Sequence, residues 1–308
     1  MLTYTPLIQS LVVSFPLKAD VLRLDKLHES ISGNKWFKLK YNLQKAQKQN
    51  VNTIITFGGA YSNHIAATAS ACKLFNLNSV GIIRGEETVL NPTLIEAKEN
   101  GMQLEFVSRE QYSKRNEQDF KDYLQTKYGN HLLIPEGGNN KEGAIGCQEI
   151  IEQKWDYDYI LCACGTATTF SGIVSNIKSK TTVIGISVLK GENNLPFDSS
   201  IMTNEISPQK KYTIMGNDEI EKDIISEHCI TSNYSFNGYA NYYQPLIDFK
   251  SKFEMQYDIP LDYIYTTKLF YGVFDLMAKQ KFKKDSKILV IHSGGLQGNK
   301  GFEQRFKC

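Results

Sequence analysis

The sequence predicts an α/β fold of open, twisted, mostly parallel sheets arranged in two layers. Three observations predict it. Short apolar runs alternate with segments of helical period from residue 53 to a last run at 287–291. The runs are continuous rather than alternating, as in Tyr159-Ile160-Leu161-Cys162-Ala163, which marks strands buried on both faces. Glycine-rich turns follow the runs ending at 57, 134, 163 and 291, and parallel sheets bind ligands beyond those carboxyl ends.

The elements follow in order. Leu11-Val12-Val13 and Val21-Leu22-Arg23-Leu24 read as two edge strands or extended segments. In Ser32-Gly33-Asn34-Lys35-Trp36-Phe37, Gly33 frees the backbone to turn and Asn34 is placed to cap a helix over 35–47, with Leu39, Leu43 and Ala46 at helical spacing. A buried strand at 53–57 leads through a glycine turn to a small-residue helix at 65–75. A strand at 79–83 precedes a helix from 91 to 100, where Pro92 suits the first position. A strand at 103–107, a polar helix at 116–128, a strand at 132–134, a loop at 135–140 and a helix at 143–154 come next. The strand at 159–163, a helix at 170–177 and a strand at 183–188 follow. Residues 190–215, with Pro196 and Pro208, read as a polar surface excursion. Helices at 218–227, 245–257 and 268–279 precede the last strand. Boundaries near 44 and 130 divide the chain into a large domain, 1–43 with 130–308, and a small one, 44–129.

Composition bounds the function. The chain has 308 residues, 41% hydrophobic and 22% charged, with 35 Lys and Arg against 33 Asp and Glu. That is globular composition without the basic footprint of a nucleic-acid binder. The Lys279-Gln280-Lys281-Phe282-Lys283-Lys284 cluster follows a helix and reads as its solvated end. No apolar run nears the roughly 20 residues of a membrane span, and no basic residue precedes Lys18, so neither a membrane nor a secretory route is expected. Cysteines 72, 147, 162, 164, 229 and 308 fit neither a metal site nor a disulfide framework; reduced thiols in the cytoplasm are the simplest expectation.

Three motifs carry chemistry. Lys35, in a first helical turn beside Trp36 and Phe37, is a candidate nucleophile for a carbonyl if its amine is desolvated. Gly165-Thr166-Ala167-Thr168-Thr169 joins a buried strand to a helix start, where unpartnered N–H groups, the helix dipole and three hydroxyls can hold a phosphate dianion. A capped helix start without ligand has the same composition, so the turn alone leaves both readings open. It lacks the P-loop lysine and the G-x-G-x-x-G glycines. Gly59-Ala60-Tyr61-Ser62-Asn63-His64 is a second such turn, with Ser62 and Asn63 able to bind a carboxylate; His64 fits a packed helix histidine as well as a ligand contact.

These motifs, with His292-Ser293-Gly294-Gly295 at the last strand's end, occur in one order that resembles the 1-aminocyclopropane-1-carboxylate deaminase / D-cysteine desulfhydrase family, tryptophan-synthase-β-like enzymes of pyridoxal-phosphate fold type II. The resemblance covers nearly the whole chain and is weakest over 190–257. It implies pyridoxal 5'-phosphate as cofactor, linked to Lys35 as a Schiff base. It implies Asn63 on the phenolic oxygen, and Gly165, Thr166, Ala167, Thr168 and Thr169 around the phosphate. Ser62, Asn63, His64 and Tyr265 would face the substrate, with Ser62 and Tyr265 joining Lys35 in catalysis.

Two departures bear on the substrate. Ring-opening deaminases carry a glutamate after the tyrosine and a leucine after the histidine, where this chain has Thr266 and Ser293. A carboxylate at the pyridine nitrogen keeps it protonated and makes the ring a strong electron sink; a hydroxyl does so far less. The pair therefore predicts β-elimination from a small amino acid, as in D-cysteine desulfhydrases, by a lyase and deaminase whose products, after hydrolase-type water addition, are pyruvate, sulfide and ammonia. Cyclopropane opening, β-replacement and cofactor binding without turnover are the alternatives. The resemblance also implies a homodimer, while charge and hydropathy predict no nucleic-acid or membrane partner.

Overall fold

The computed structural model describes residues 2–31, 33–86, 90–177, 180–190, 212–215 and 224–306. The strands are β1 (Ile8–Leu11), β2 (Lys18–Arg23), β3 (Thr53–Gly59), β4 (Asn78–Arg84), β5 (Met102–Val107), β6 (Leu132–Ile134), β7 (Tyr159–Cys164), β8 (Thr182–Ser187), β9 (Thr213–Met215), β10 (Cys229–Thr231) and β11 (Lys287–His292). The helices are α1 (Asn34–Lys48), α2 (Asn63–Leu74), α3 (Pro92–Glu99), α4 (Arg109–Ser113), α5 (Gln118–Tyr128), α6 (Lys141–Gln148), α7 (Thr168–Asn176), α8 (Gln244–Tyr257), α9 (Thr266–Ala278) and α10 (Asn299–Phe306).

Two sheets form, as the alternation predicts. One runs β1-β2-β11-β7-β8-β10-β9 and is parallel apart from the β1–β2 pair; the other runs β5-β4-β3-β6 and is parallel throughout. Period-2 alternation explains why β7 is apolar without a break. Leu161 and Ala163 join the core under α9 with Leu269 and Phe270, while Ile160, Cys162 and Cys164 join the core under α7 with Phe170 and Ile173. Helix α1 serves both layers. Trp36, Leu39, Leu43 and Ala46 pack on the small sheet with Ile54 and Ile134, whereas Phe37 packs with Cys147 and Phe170 on the large one.

Several expectations shift. Strand β2 is interior, between β1 and β11, so only β1 of the first two is an edge. Strand β6 pairs with β3, so the return to the large sheet falls after 134 rather than near 130. The polar helix expected at 116–128 is α5, from Gln118 to Tyr128, and it is preceded by the short α4, not expected from the sequence, which starts where Ser108 closes a capping box on Gln111. The helix expected to reach 154 stops at Gln148, before Ile150 and Ile151 turn into the core. Strands β9 and β10 and helix α10 were not anticipated. Residues 191–211 of the expected excursion and 218–223 of the expected helix at 218–227 lie outside the described residues, as do Ser32 and Cys308, and 224–227 are not helical. The other five cysteines are free and buried. No described helix is long and apolar enough to cross a membrane.

Candidate active site

The site lies where the carboxyl ends of β2, β3, β6, β7 and β11 meet the start of α1. Gly33 brings α1 there. Its φ of +70° is open to glycine, and a Cβ would overlap the Ser293 carbonyl, which accepts the Asn34 N–H at 3.2 Å. Gly33, not Asn34, occupies the cap position, so the capping role expected of Asn34 is corrected. Asn34 is freed for a different task. It accepts from the Lys35 amine at 2.7 Å through Oδ1 and donates through Nδ2 to the Thr169 hydroxyl at 2.8 Å. One buried amide thus couples the candidate nucleophile to the candidate phosphate turn, 135 residues apart in sequence. Burial draws the Lys35 amine down to about 7; the nearby Lys38 charge adds to this, and Asp262 and Cys147 oppose it.

Lys38 was missed in the sequence although it lies three residues on, along the same helix face. Its buried ammonium donates to the Gly137 carbonyl at 3.0 Å and the Thr166 hydroxyl at 3.3 Å, and burial lowers its pKa as well. The turn it reaches is shaped for an anion. Ala167 adopts a left-handed conformation, φ 56°, to redirect the chain from β7 into α7. The Thr166 and Thr168 hydroxyls meet at 2.9 Å, Thr168 donates to Asn139, and Gly165 keeps the turn clear of the Tyr265 ring. A lysine, three threonine hydroxyls and the first N–H groups of α7 form the donor set a phosphate dianion requires.

Ser62 caps α2, accepting from Ile65 N–H at 3.4 Å. Asn63 is buried beneath Gly295 and Gly298, against the turn that follows β11, and its Oδ1 has no hydrogen-bond partner among the described residues. His64 is buried with Nε2 3.0 Å from Thr56, whose hydroxyl donates to the Ile134 carbonyl; His64 is therefore the donor to Thr56 and its Nδ1 is left unpartnered. Burial holds that imidazole well below its usual pKa.

Tyr265 precedes α9, with its ring centroid 5.8 Å from the Lys35 amine. Asp262, also missed in the sequence, fixes this corner: its carboxylate accepts from the N–H groups of Ile264, Tyr265 and Thr266. It also takes the Thr266 hydroxyl proton at 2.7 Å. Thr266 is 0% exposed and gives its hydroxyl to Asp262. Ser293, of the two hydroxyls, is the one left without a protein hydrogen bond among the described residues. Behind Ser293, His292 is buried with Asp25, which Arg23 grips through two bonds of 2.8 and 2.7 Å. Tyr239, from a stretch with no sequence period, meets Tyr265 edge to face with centroids 5.9 Å apart.

The donor set fits pyridoxal phosphate: a buried amine of lowered basicity, an anion cradle bound to it through Asn34, and an orphaned amide oxygen on Asn63 beside the last glycine turn. Comparison with known proteins agrees. The family described as pyridoxal-phosphate dependent enzyme matches residues 2–294. A putative 1-aminocyclopropane-1-carboxylate deaminase of Thermotoga maritima is 29% identical over 289 residues, covering 90% of this chain and 88% of that one. A mitochondrial bifunctional D-cysteine desulfhydrase/1-aminocyclopropane-1-carboxylate deaminase of Arabidopsis thaliana is 30% identical over 87% of this chain and 70% of its own. A crystal structure of an ACC deaminase homologue superposes with a TM-score of 0.76 at 22% identity, over 99% of this chain and 94% of that one. The chain belongs to the pyridoxal-phosphate dependent enzymes, in their tryptophan-synthase-β-like fold, and within them to the 1-aminocyclopropane-1-carboxylate deaminase / D-cysteine desulfhydrase family.

Proposed function

We propose that this enzyme catalyses α,β-elimination from a small amino acid in the manner of a D-cysteine desulfhydrase, releasing sulfide and yielding pyruvate and ammonia. The bridge from Lys35 through Asn34 to Thr169 carries the reading, because one side chain joins an amine of lowered basicity to the candidate anion cradle. Bound pyridoxal phosphate supplies the electron sink for charge developing at Cα. Lys35 would hold its aldehyde, Lys38 with Gly165, Thr166, Ala167, Thr168 and Thr169 would hold its phosphate, Asn63 its phenolic oxygen and Ser293 its ring nitrogen. Ser62 receives the substrate carboxylate at the start of α2. Lys35 Nζ is the group placed to accept the Cα proton, with Ser62 as the rival base. Tyr265, with Tyr239 beside it, hands a proton to the departing sulfur; Thr266 acts only through Asp262, and His64 meets substrate only through Nδ1.

Ser293 separates desulfhydration from ring opening. A hydroxyl at the ring nitrogen gives a weaker sink than a carboxylate, which suits a good leaving group such as hydrosulfide. The relatives carry both activities in their names, deamination and desulfhydration. In either, the enzyme breaks bonds as a lyase and water reacts afterwards, so the hydrolase class expected from the sequence is set aside. A cytoplasmic homodimer completes the proposal: five buried free thiols suit a reducing compartment, and light scattering reads the mass. The test is a panel of D- and L-amino acids with the loaded enzyme. Sulfide and pyruvate from a cysteine enantiomer are expected. Release of 2-oxobutyrate from the cyclopropane amino acid, or turnover only with an added nucleophile, would overturn the desulfhydrase reading.

A further inference from the structure

Lys268 is 0% exposed, yet no carboxylate among the described residues binds it. Its ammonium donates to three carbonyls instead: Ser235 at 2.6 Å, Gly238 at 2.6 Å and Val188 at 3.4 Å. Three donors meet three acceptors. Burying a charge without a counter-ion is costly, and a methionine would fill the volume. The acceptors give the reason for a lysine. Val188 follows the end of β8. Ser235 and Gly238 lie in the loop after β10, where Phe236, Asn237, Gly238 and Ala240 all have φ between 48° and 104°. Left-handed backbone in this density does not pair in a sheet and stores strain; the Ser235 carbonyl also takes the Gly238 N–H at 2.9 Å, whereas the Gly238 carbonyl has Lys268 as its donor among the described residues. The loop's start is pinned to α9 separately, by the Tyr234 hydroxyl on Asp275 at 2.8 Å.

We propose that Lys268 is a positioning residue that holds Tyr239 against Tyr265 on the substrate side of the active site. Tyr239 directly follows the Gly238 carbonyl that Lys268 grips, and its ring meets Tyr265, which faces the Lys35 amine. Tyr265 and Lys268 are three residues apart at the start of α9, so one helix end supplies both the tyrosine and the strut for its partner. Burial draws the Lys268 ammonium down to about 8, against the pull of Asp262, which leaves it charged at neutral pH. The inference rests on the two tyrosines facing substrate, as in the function proposed above.

The test is a double-mutant cycle of K268M and Y239A on the loaded enzyme, with K268Q as the conservative variant. Its readouts are kcat and KM for the cysteine enantiomer that turns over and the spectroscopic Kd of an unreactive amino-acid analogue. K268M should keep the borohydride-trappable link at Lys35 and raise Kd and KM by about ten- to a hundredfold. K268Q, which retains two N–H donors, should recover part of the loss, and K268M should add almost nothing on top of Y239A. An equal loss in both backgrounds, or a lower melting temperature with Kd and KM unchanged, would overturn the proposal. If K268M does not fold, G238A strains the same carbonyl while Lys268 stays in place, since a Cβ there sits 3.2 Å from Lys190 Cβ at φ +104°. It should raise Kd likewise, and an unchanged Kd would refute the strut. The analogue titration needs no turnover, so a failure of the elimination chemistry stays distinguishable from a failure of the strut.

Discussion

Lys35 and Lys38 lie on one face of α1 and are buried for different purposes. The Lys35 amine, lowered to about 7, is half unprotonated near neutrality, which a nucleophile for an aldehyde needs. In cofactor-free enzyme, its rate of capture by pyridoxal phosphate should therefore rise through pH 7 and level off, as stopped-flow absorbance would record. The sign for stability is the same. A lysine whose folded pKa lies below its unfolded value weakens the fold most at low pH. The penalty is full below about 7 and fades as pH climbs toward 10.5, so the melting temperature of the cofactor-free enzyme gains from this group across that window. Lys38 is a charge-assisted donor to Thr166 in the turn proposed to hold the phosphate. Lys38→Met should weaken pyridoxal phosphate binding by about ten- to a hundredfold while leaving the covalent link at Lys35, which equilibrium dialysis and borohydride trapping separate.

The start of α1 and the end of β11 interlock as elements. The Ser293 carbonyl receives the Asn34 N–H, and the space beside it admits only a hydrogen at Gly33. Gly33→Ala should lose at least about 2 kcal/mol, from overlap and positive φ together, and should release cofactor, both visible in thermal melts with and without pyridoxal phosphate. Behind the same turn, Asp25 sits between Arg23 and His292. Its pKa is lowered despite burial, through the Arg23 hydrogen bonds first and the His292 charge next. A carboxylate depressed in this way stabilises the fold above its unfolded pKa of 3.8 and loses that contribution as pH falls through the folded value. Asp25→Asn strands a buried guanidinium and should cost about 3–5 kcal/mol at neutral pH, by denaturant titration.

For the whole molecule, two parallel sheets aim their carboxyl ends at one crevice, and α1 lies in both cores. That arrangement was legible because buried parallel strands are continuous apolar runs and their ends need glycine. The turns at 58–64, 165–169 and 292–295 declared the site for the same reason. What was not legible lacked period or length. Strands β9 and β10 have three residues each, too few to show alternation. Tyr239 sits in a loop of left-handed residues that no pattern marks, and Asp262 reads in sequence as one acidic residue among many until its carboxylate collects three backbone N–H groups. The bond from the Thr266 hydroxyl to Asp262 was not legible either, because it depends on how the chain turns before α9.

Lys35 stands at the centre of all three scales. Borohydride reduction of the loaded enzyme, followed by proteolysis and mass spectrometry, tests this most directly. A single pyridoxyl adduct on the peptide carrying Lys35, abolished in Lys35→Ala, is the predicted result. An adduct on Lys38 or any other lysine, or a loaded enzyme with no reducible link, would contradict the account.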